Sequence, residues 1–230
     1  MEFKELGTTG VQLPEIGLGT WQYRGGNEPL RKGIELGAHL IDTAEIYGTE
    51  GIVGQAIRDR RDRAFVATKV SGHNLGYEDV LRAAEGSLRR LGIDRIDLYQ
   101  IHWPDPGVPI RETMRAMEEL VDAGKVRFIG VSNFSVRELE EAQAAMKEDR
   151  IESNQVEYSL LDRSIEGNLL RYCEAQRVTI LAYTPLARGK LASTRSIRHR
   201  QAFEVLRKVA REAGKTVAQV ALNWCTVSPA

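Results

Sequence analysis

Residues 17–21 read GLGTW. They close a short apolar run, IGLGT (16–20), where a strand would hand the chain over to a helix. Strands and helices alternate through the rest of the chain, so this hand-over decides between two folds. A doubly wound open sheet usually carries GxGxxG after its first strand. GLGTW has no such loop, which turns the reading toward a closed ring of strands.

Working outward, apolar β-branched runs recur: HLIDTAE (39–45), AFVATKV (64–70), IDLYQIHW (96–103), VRFIGVSN (126–133), SNQVEY (153–158) and TILAYTPL (179–186). With IGLGT their starts lie about 23–32 residues apart, the size of one strand-plus-helix unit. Helical periodicity fills the gaps. Val80, Ala84, Leu88 and Leu91 form one stripe ending at Gly92; Ile110, Met114, Met117 and Val121 form another ending at Gly124. Spacings of three and four mark helices with one buried face. Ser135 with Glu138, and Thr216 with Gln219, read as capping boxes. FKELGTTGVQLPEIG at the start reads as a β-hairpin turning at Thr9-Gly10. Alternation implies a parallel sheet. Seven strands over more than 200 residues imply a (β/α)8 barrel of the TIM type, one domain over residues 1–230.

Composition excludes several classes. Lys plus Arg and Asp plus Glu both number 32, so formal charge is zero and nothing argues globally for nucleic acid. The one basic stretch, RGKLASTRSIRHR (188–200), reads equally as a phosphate-side segment or a solvated loop. Two cysteines, Cys173 and Cys225, stand far apart, which fits a reducing, cytoplasmic setting and no disulfide scaffold. His39, His73, His102 and His199 show no metal-ligand spacing. No run of about 18 apolar residues exists, so no membrane span is expected.

In a barrel, side chains at the C-terminal strand ends converge on one mouth, where active sites sit. The polar residues fall there. Asp42 ends the second unit's strand and Tyr47 follows in its loop. Lys69 ends the third strand and His102 the fourth. Ser132 and Asn133 end the fifth; Gln155 lies in the sixth; Tyr183 and Thr184 lie in the seventh. Singly, each has an ordinary reading as a cap, a solvated group or a packing residue. An acid, a phenol, an amine and an imidazole on three consecutive units argue for one site.

These stretches resemble the aldo-keto reductase superfamily. The matching segments are GLGTW (17–21), IDTAEIYG (41–48), ATK (67–69), DLYQIHWPDP (97–106), GKVRFIGVSNF (124–134), SNQVEYSLLDR (153–163) and AYTPLARGKL (182–191). The resemblance implies a catalytic tetrad of Asp42, Tyr47, Lys69 and His102. It implies a nicotinamide cofactor, usually NADPH with NADH as the lesser choice, bound without a Rossmann fold. Ser132, Asn133 and Gln155 match holders of the nicotinamide carboxamide, and Tyr183 matches the ring stacked on it. Thr184, Leu186 and the loop through Arg188 match the region along the pyrophosphate. Thr20 and Trp21 match a wall shared by cofactor and substrate, with Asp42 beside it. Trp21, Tyr47, His102 and Trp103 line the implied pocket for a small-molecule carbonyl.

The chemistry explains the residue types. Hydride reaching a carbonyl carbon leaves charge on the oxygen, which needs a proton or strong donors. Tyr47 is the expected acid. Lys69 is expected to lower its pKa toward working pH, with Asp42 pairing the lysine, His102 orienting the carbonyl and Gly48 allowing the turn.

The chain stops at NWCTVSPA. The resemblance implies a further strand and a loop gripping the adenosine 2′-phosphate beyond that point. The expectation is therefore a barrel of seven βα units with the eighth strand missing. It would have an open seam through which an oligomer could pair, reduced stability, and a blurred preference for NADPH over NADH. The competing expectation is a truncated, weakly active or non-catalytic cofactor-binding or interaction protein. A redox-sensing accessory subunit is a third.

Overall fold

The computed structural model describes residues 1–192 and 200–227. A hairpin of β1 (Phe3–Glu5) and β2 (Gln12–Pro14) opens the chain, paired Phe3 to Pro14. A seven-stranded parallel sheet follows: β3 (Leu18–Gly19), β4 (Leu40–Asp42), β5 (Phe65–Val70), β6 (Ile96–Ile101), β7 (Val126–Ser132), β8 (Ile151–Glu157) and β9 (Thr179–Tyr183). The strands pair strictly in chain order. Between them lie α1 (Glu28–Glu35), α2 (Glu50–Ile57), α3 (Tyr77–Leu91), α4 (Ile110–Asp122), α5 (Val136–Ala145) and α6 (Leu169–Gln176). Two further helices, α7 (Arg200–Ala213) and α8 (Val217–Thr226), follow β9. No helix among the described residues is long and apolar enough to cross a membrane.

The expected punctuation is present. Gly92 adopts φ 65° and its N–H bonds Leu88 O, closing α3. Both capping boxes form, at Ser135–Glu138 and Thr216–Gln219. The hairpin connection runs six residues, Leu6 to Val11, and contains the expected Thr9-Gly10 turn.

Parity along the strands separates two cores. Ile41, Val66, Tyr99, Ile101 and Val131 face outward and pack on the helices. Leu40, Phe65, Ala67 and Leu98 face inward and meet Leu6 and Leu13 of the hairpin, which plugs the barrel floor. The plug is tied down by Gly7 N–H to Thr179 Oγ1 at 2.8 Å and Thr8 N–H to Glu152 Oε2 at 2.8 Å. The mouth at the opposite end stays free for chemistry.

Among the described residues no strand pairs the outer edges of β3 and β9. β9 is accordingly only half-buried along its length, whereas β5 and β6 are fully buried. The basic stretch at 188–200 lies partly outside the described residues.

Helix α2 carries Gly51 and Gly54, both poor helix formers. Gly54 sits there because α2 crosses the end of α3 closely; a Cβ at this position would lie 2.2 Å from Leu91 O. Gly54→Ala is expected to destabilise the fold by about 2–3 kcal/mol, because backbone cannot yield as a side chain can. Urea unfolding at constant m-value measures it.

Candidate active site

The mouth gathers the ends of β4 to β9. Lys69 lies on β5 with 0% of its surface exposed. Its Nζ donates to Asp42 Oδ1 at 2.8 Å, to Asp42 Oδ2 at 2.7 Å and to Thr43 O at 2.8 Å. Burial pushes its pKa down and the Asp42 carboxylate pulls it up. Asp42 also accepts from Gln155 Nε2 at 2.8 Å. The carboxylate that ends an apolar run is therefore held by two side chains from elsewhere in the barrel, as a buried charge requires.

Tyr47 lies in a 3-10 turn, Glu45–Tyr47, which Gly48 closes at φ 69°. A Cβ at that angle is strained, so glycine allows the tight exit. Glu45 pins the turn to the next loop, accepting from Ser71 N–H and from Asn74 Nδ2. Tyr47 OH lies 3.3 Å from His102 Nε2, with the rings edge-on at 5.4 Å between centroids. Lys69 Nζ sits over the face of the Tyr47 ring, 5.1 Å from its centroid.

One electrostatic expectation is corrected here. The Tyr47 pKa is raised, not brought down toward working pH. Burial raises it, and the Asp42 and Tyr183 groups add to the rise. The physical reason is pairing: the Asp42 carboxylate offsets the lysine's charge, and the ammonium addresses the ring face rather than the phenol oxygen. Tyr47 is thus held firmly as a neutral proton carrier.

His102 is held neutral. Burial, helped by the Lys69 charge, drops its pKa from 6.5 to about 4. In the unfolded chain it titrates near 6.5, so between these values the unfolded state binds the extra proton. Stability contributed by His102 is therefore full above about pH 6.5 and is lost as pH falls toward 4. The total is about 3 kcal/mol. Thermal melts from pH 4 to 7 should show a shallower slope in His102→Gln than in the wild type.

The remaining expected residues converge on the same rim. Ser132 Oγ donates to Gln155 O at 2.8 Å. Asn133, at φ 64°, donates through Nδ2 to His102 O at 3.1 Å and Ser132 Oγ at 2.9 Å. Asn133 Oδ1 accepts from Tyr183 OH at 2.9 Å. Thr184 Oγ1 donates to Glu157 Oε1 at 3.1 Å. Thr184, Ala187, Arg188 and Gly189 all have positive φ, which coils the loop beyond β9 beside Tyr183. Leu186 packs against a small apolar cluster with Leu191 and Phe203, while Arg188 is exposed. Trp21 and Trp103 stand about half exposed, at 52% and 51%.

Thr20 follows β3 at the same end of the barrel. It is fully buried, and its hydroxyl donates to Asp42 O at 3.0 Å. GLGTW ends a strand, and both the Thr20 N–H, at 2.9 Å, and its hydroxyl bond the neighbouring strand's Asp42 O. Thr43, Thr49 and Glu50 carry no sequence signal that marks them as part of the site. Glu50 is 1% exposed and accepts from Thr68 Oγ1 at 2.6 Å and Arg90 Nε at 2.6 Å. An acid at a helix start reads as a dipole partner, so only the fold reveals its burial. Cys173 and Cys225 are held as thiols, burial raising them to about 12 and about 11. No group of three metal-ligating side chains forms among the described residues.

A parallel barrel thus brings a phenol, a paired ammonium and a neutral imidazole together at its C-terminal mouth. The chain matches the aldo/keto reductase family model over residues 15–230 and belongs to that family. It is 40% identical over 214 residues to Aldo-keto reductase YhdN of Bacillus subtilis, covering 83% of this chain and 64% of that protein. It is 38% identical over 225 residues to Methylglyoxal reductase YeaE of Escherichia coli, covering 93% of this chain and 77% of that one. A crystal structure of aldo/keto reductase from Klebsiella pneumoniae in complex with NADP and acetate superposes with a TM-score of 0.82. It shares 38% identity and covers 94% of this chain and 78% of that one.

Proposed function

We propose that this protein reduces small aldehydes or ketones to alcohols with NADPH, Tyr47 supplying the proton. The observation that carries this reading is Tyr47 OH and His102 Nε2 at 3.3 Å beside the pair of buried Lys69 and part-exposed Asp42. A carbonyl oxygen placed between phenol and imidazole would meet two donors, Tyr47 O–H and His102 Nε2–H. His102 is neutral at working pH and so has one N–H to give.

The donor set suits a nicotinamide carboxamide, which needs one acceptor and one donor. Asn133, Gln155 and Ser132 offer both kinds on adjacent strand ends, paired in register Ser132 to Gln155. The Tyr183 ring beside them suits a flat partner, and the exposed Arg188 suits a phosphate. A bound reduced nicotinamide would supply the hydride. Ser132, Asn133 and Gln155 would fix the ring's facing, Tyr183 would cover one side, and Trp21 and Trp103 would shield the substrate from water. The exposed tryptophans and Ile46, 60% exposed, favour carbonyls with an apolar or compact substituent. Methylglyoxal, named for the E. coli relative, is the first substrate to test.

The test follows NADPH absorbance with purified chain and methylglyoxal, against Tyr47→Phe. Turnover by the wild type and loss in the variant supports the reading. Equal rates overturn it. Fluorescence titration with NADPH and NADH then ranks the two cofactors.

A further inference from the structure

Thr49 stands two residues after Tyr47, at the N-cap of α2. Threonine at that position ordinarily bonds the helix's free N–H groups. Here its side chain makes no capping bond. Its hydroxyl is buried instead, at 4% exposure, 2.9 Å from Thr20 Oγ1 and 2.9 Å from Thr43 Oγ1. Thr20 and Thr43 are both 0% exposed.

The proton order in this cluster follows from counting. A hydroxyl has one proton to donate. Thr20 gives its proton to Asp42 O at 3.0 Å. Thr20 must then accept from Thr49, and Thr49, its proton committed, must accept from Thr43. The run is Thr43 to Thr49 to Thr20 to Asp42 O, aligned head to tail and polarised in one sense.

Both ends of this run land on the peptides that hold Lys69. The Thr43 carbonyl accepts from Nζ, and so does the Asp42 carboxylate. Thr49 therefore joins three things: the end of β3, the end of β4, and the loop that carries Tyr47. Its neighbour Glu50 anchors the start of α2 to Thr68 on β5, so the loop is fixed at its far side too.

We propose that Thr49 is a positioning residue for proton delivery: its buried hydroxyl links the Tyr47 loop to the strand ends that hold Lys69 and Asp42. The proposal rests on Tyr47 being the proton donor. Without the Thr49 hydroxyl, the loop keeps its backbone path and its ties through Glu45 and Glu50 but loses the one to the ends of β3 and β4. The Tyr47 oxygen then drifts relative to the reacting oxygen, while the cofactor surface on β7 to β9 is untouched.

Thr49→Val keeps the shape and deletes the hydroxyl; Thr49→Ser keeps the hydroxyl. Thr49→Val is expected to lower kcat by about 10- to 100-fold, the cost of a misplacement near 1 Å. NADPH affinity should stay within about twofold, since no carboxamide holder is touched. The solvent deuterium isotope effect on kcat should rise, because proton transfer becomes slower than the other steps. Thr49→Ser should restore both kcat and isotope effect. If Thr49→Val does not fold, Thr43→Val breaks the same run one step earlier and should show the same isotope signature with a smaller fall in kcat. A merely structural threonine would lower the melting temperature and leave kcat and its isotope effect alone; that result overturns the proposal. So does a Thr49→Ser variant as impaired as Thr49→Val. Tyr47→Phe, assayed alongside, separates the two levels. Equal turnover by Tyr47→Phe and wild type removes the proton-donor reading and this inference with it. A dead Tyr47→Phe beside a normal Thr49→Val removes the inference alone.

Discussion

Tyr47→Phe should lose turnover almost completely while keeping its fold and its cofactor. The expected fall in kcat is about 10²–10⁴-fold, the usual contribution of a placed general acid. Stability should change by less than about 1 kcal/mol, since the phenol makes one long bond to His102. The ring and its contact with Lys69 remain, so the pocket keeps its shape. NADPH titration by protein fluorescence should give the same Kd for both proteins. A variant that turns over at the wild-type rate would assign proton delivery to another group. The raised pKa of Tyr47 sharpens the expectation: the phenol stays protonated through the neutral range and is always loaded for reduction.

Lys69→Met should be the most destabilising single change at the site. It leaves the Asp42 carboxylate with Gln155 but without its cation. Breaking a fully buried pair by removing one partner costs about 3–5 kcal/mol, an upper bound here because the Asp42 side chain is 20% exposed. For a chain of this size the fall in Tm is at most about 6–20 °C. Adding Asp42→Asn should recover part of this loss, because no unpaired charge is then buried. Activity should not return, since neither the ammonium beneath the phenol nor the carboxylate that places it is present. Thermal melts and NADPH turnover on the single and double variants separate these effects. Equal stability of Lys69→Met and wild type would show that the pair contributes nothing to the fold.

Much of the site could be read before the fold was seen. Asp42 stands out because a carboxylate ends an apolar run, and Lys69, His102 and Asn133 stand out as polar groups at the ends of later strands. The barrel arrangement makes that inference work, since parallel strands end at one rim. The direction of the Tyr47 pKa could not be read this way. It depends on where the lysine's charge sits relative to the phenol oxygen and on how fully Asp42 offsets it. The bond from the Thr20 hydroxyl to Asp42 O is equally absent from the sequence, because rotation of a hydroxyl toward a neighbouring carbonyl leaves no mark there.

The sequence by itself determined the order of strands and helices, their capping residues and the set of polar groups at the strand ends. These follow from periods of two and 3.6 and from local capping, which are properties of neighbouring residues. Only the tertiary structure decided that Leu6 and Leu13 plug the barrel floor, that α2 needs glycine against Leu91, and that three threonines join the Tyr47 loop to Asp42. Each of these depends on residues distant in the chain being brought within contact range, and no local pattern encodes that distance.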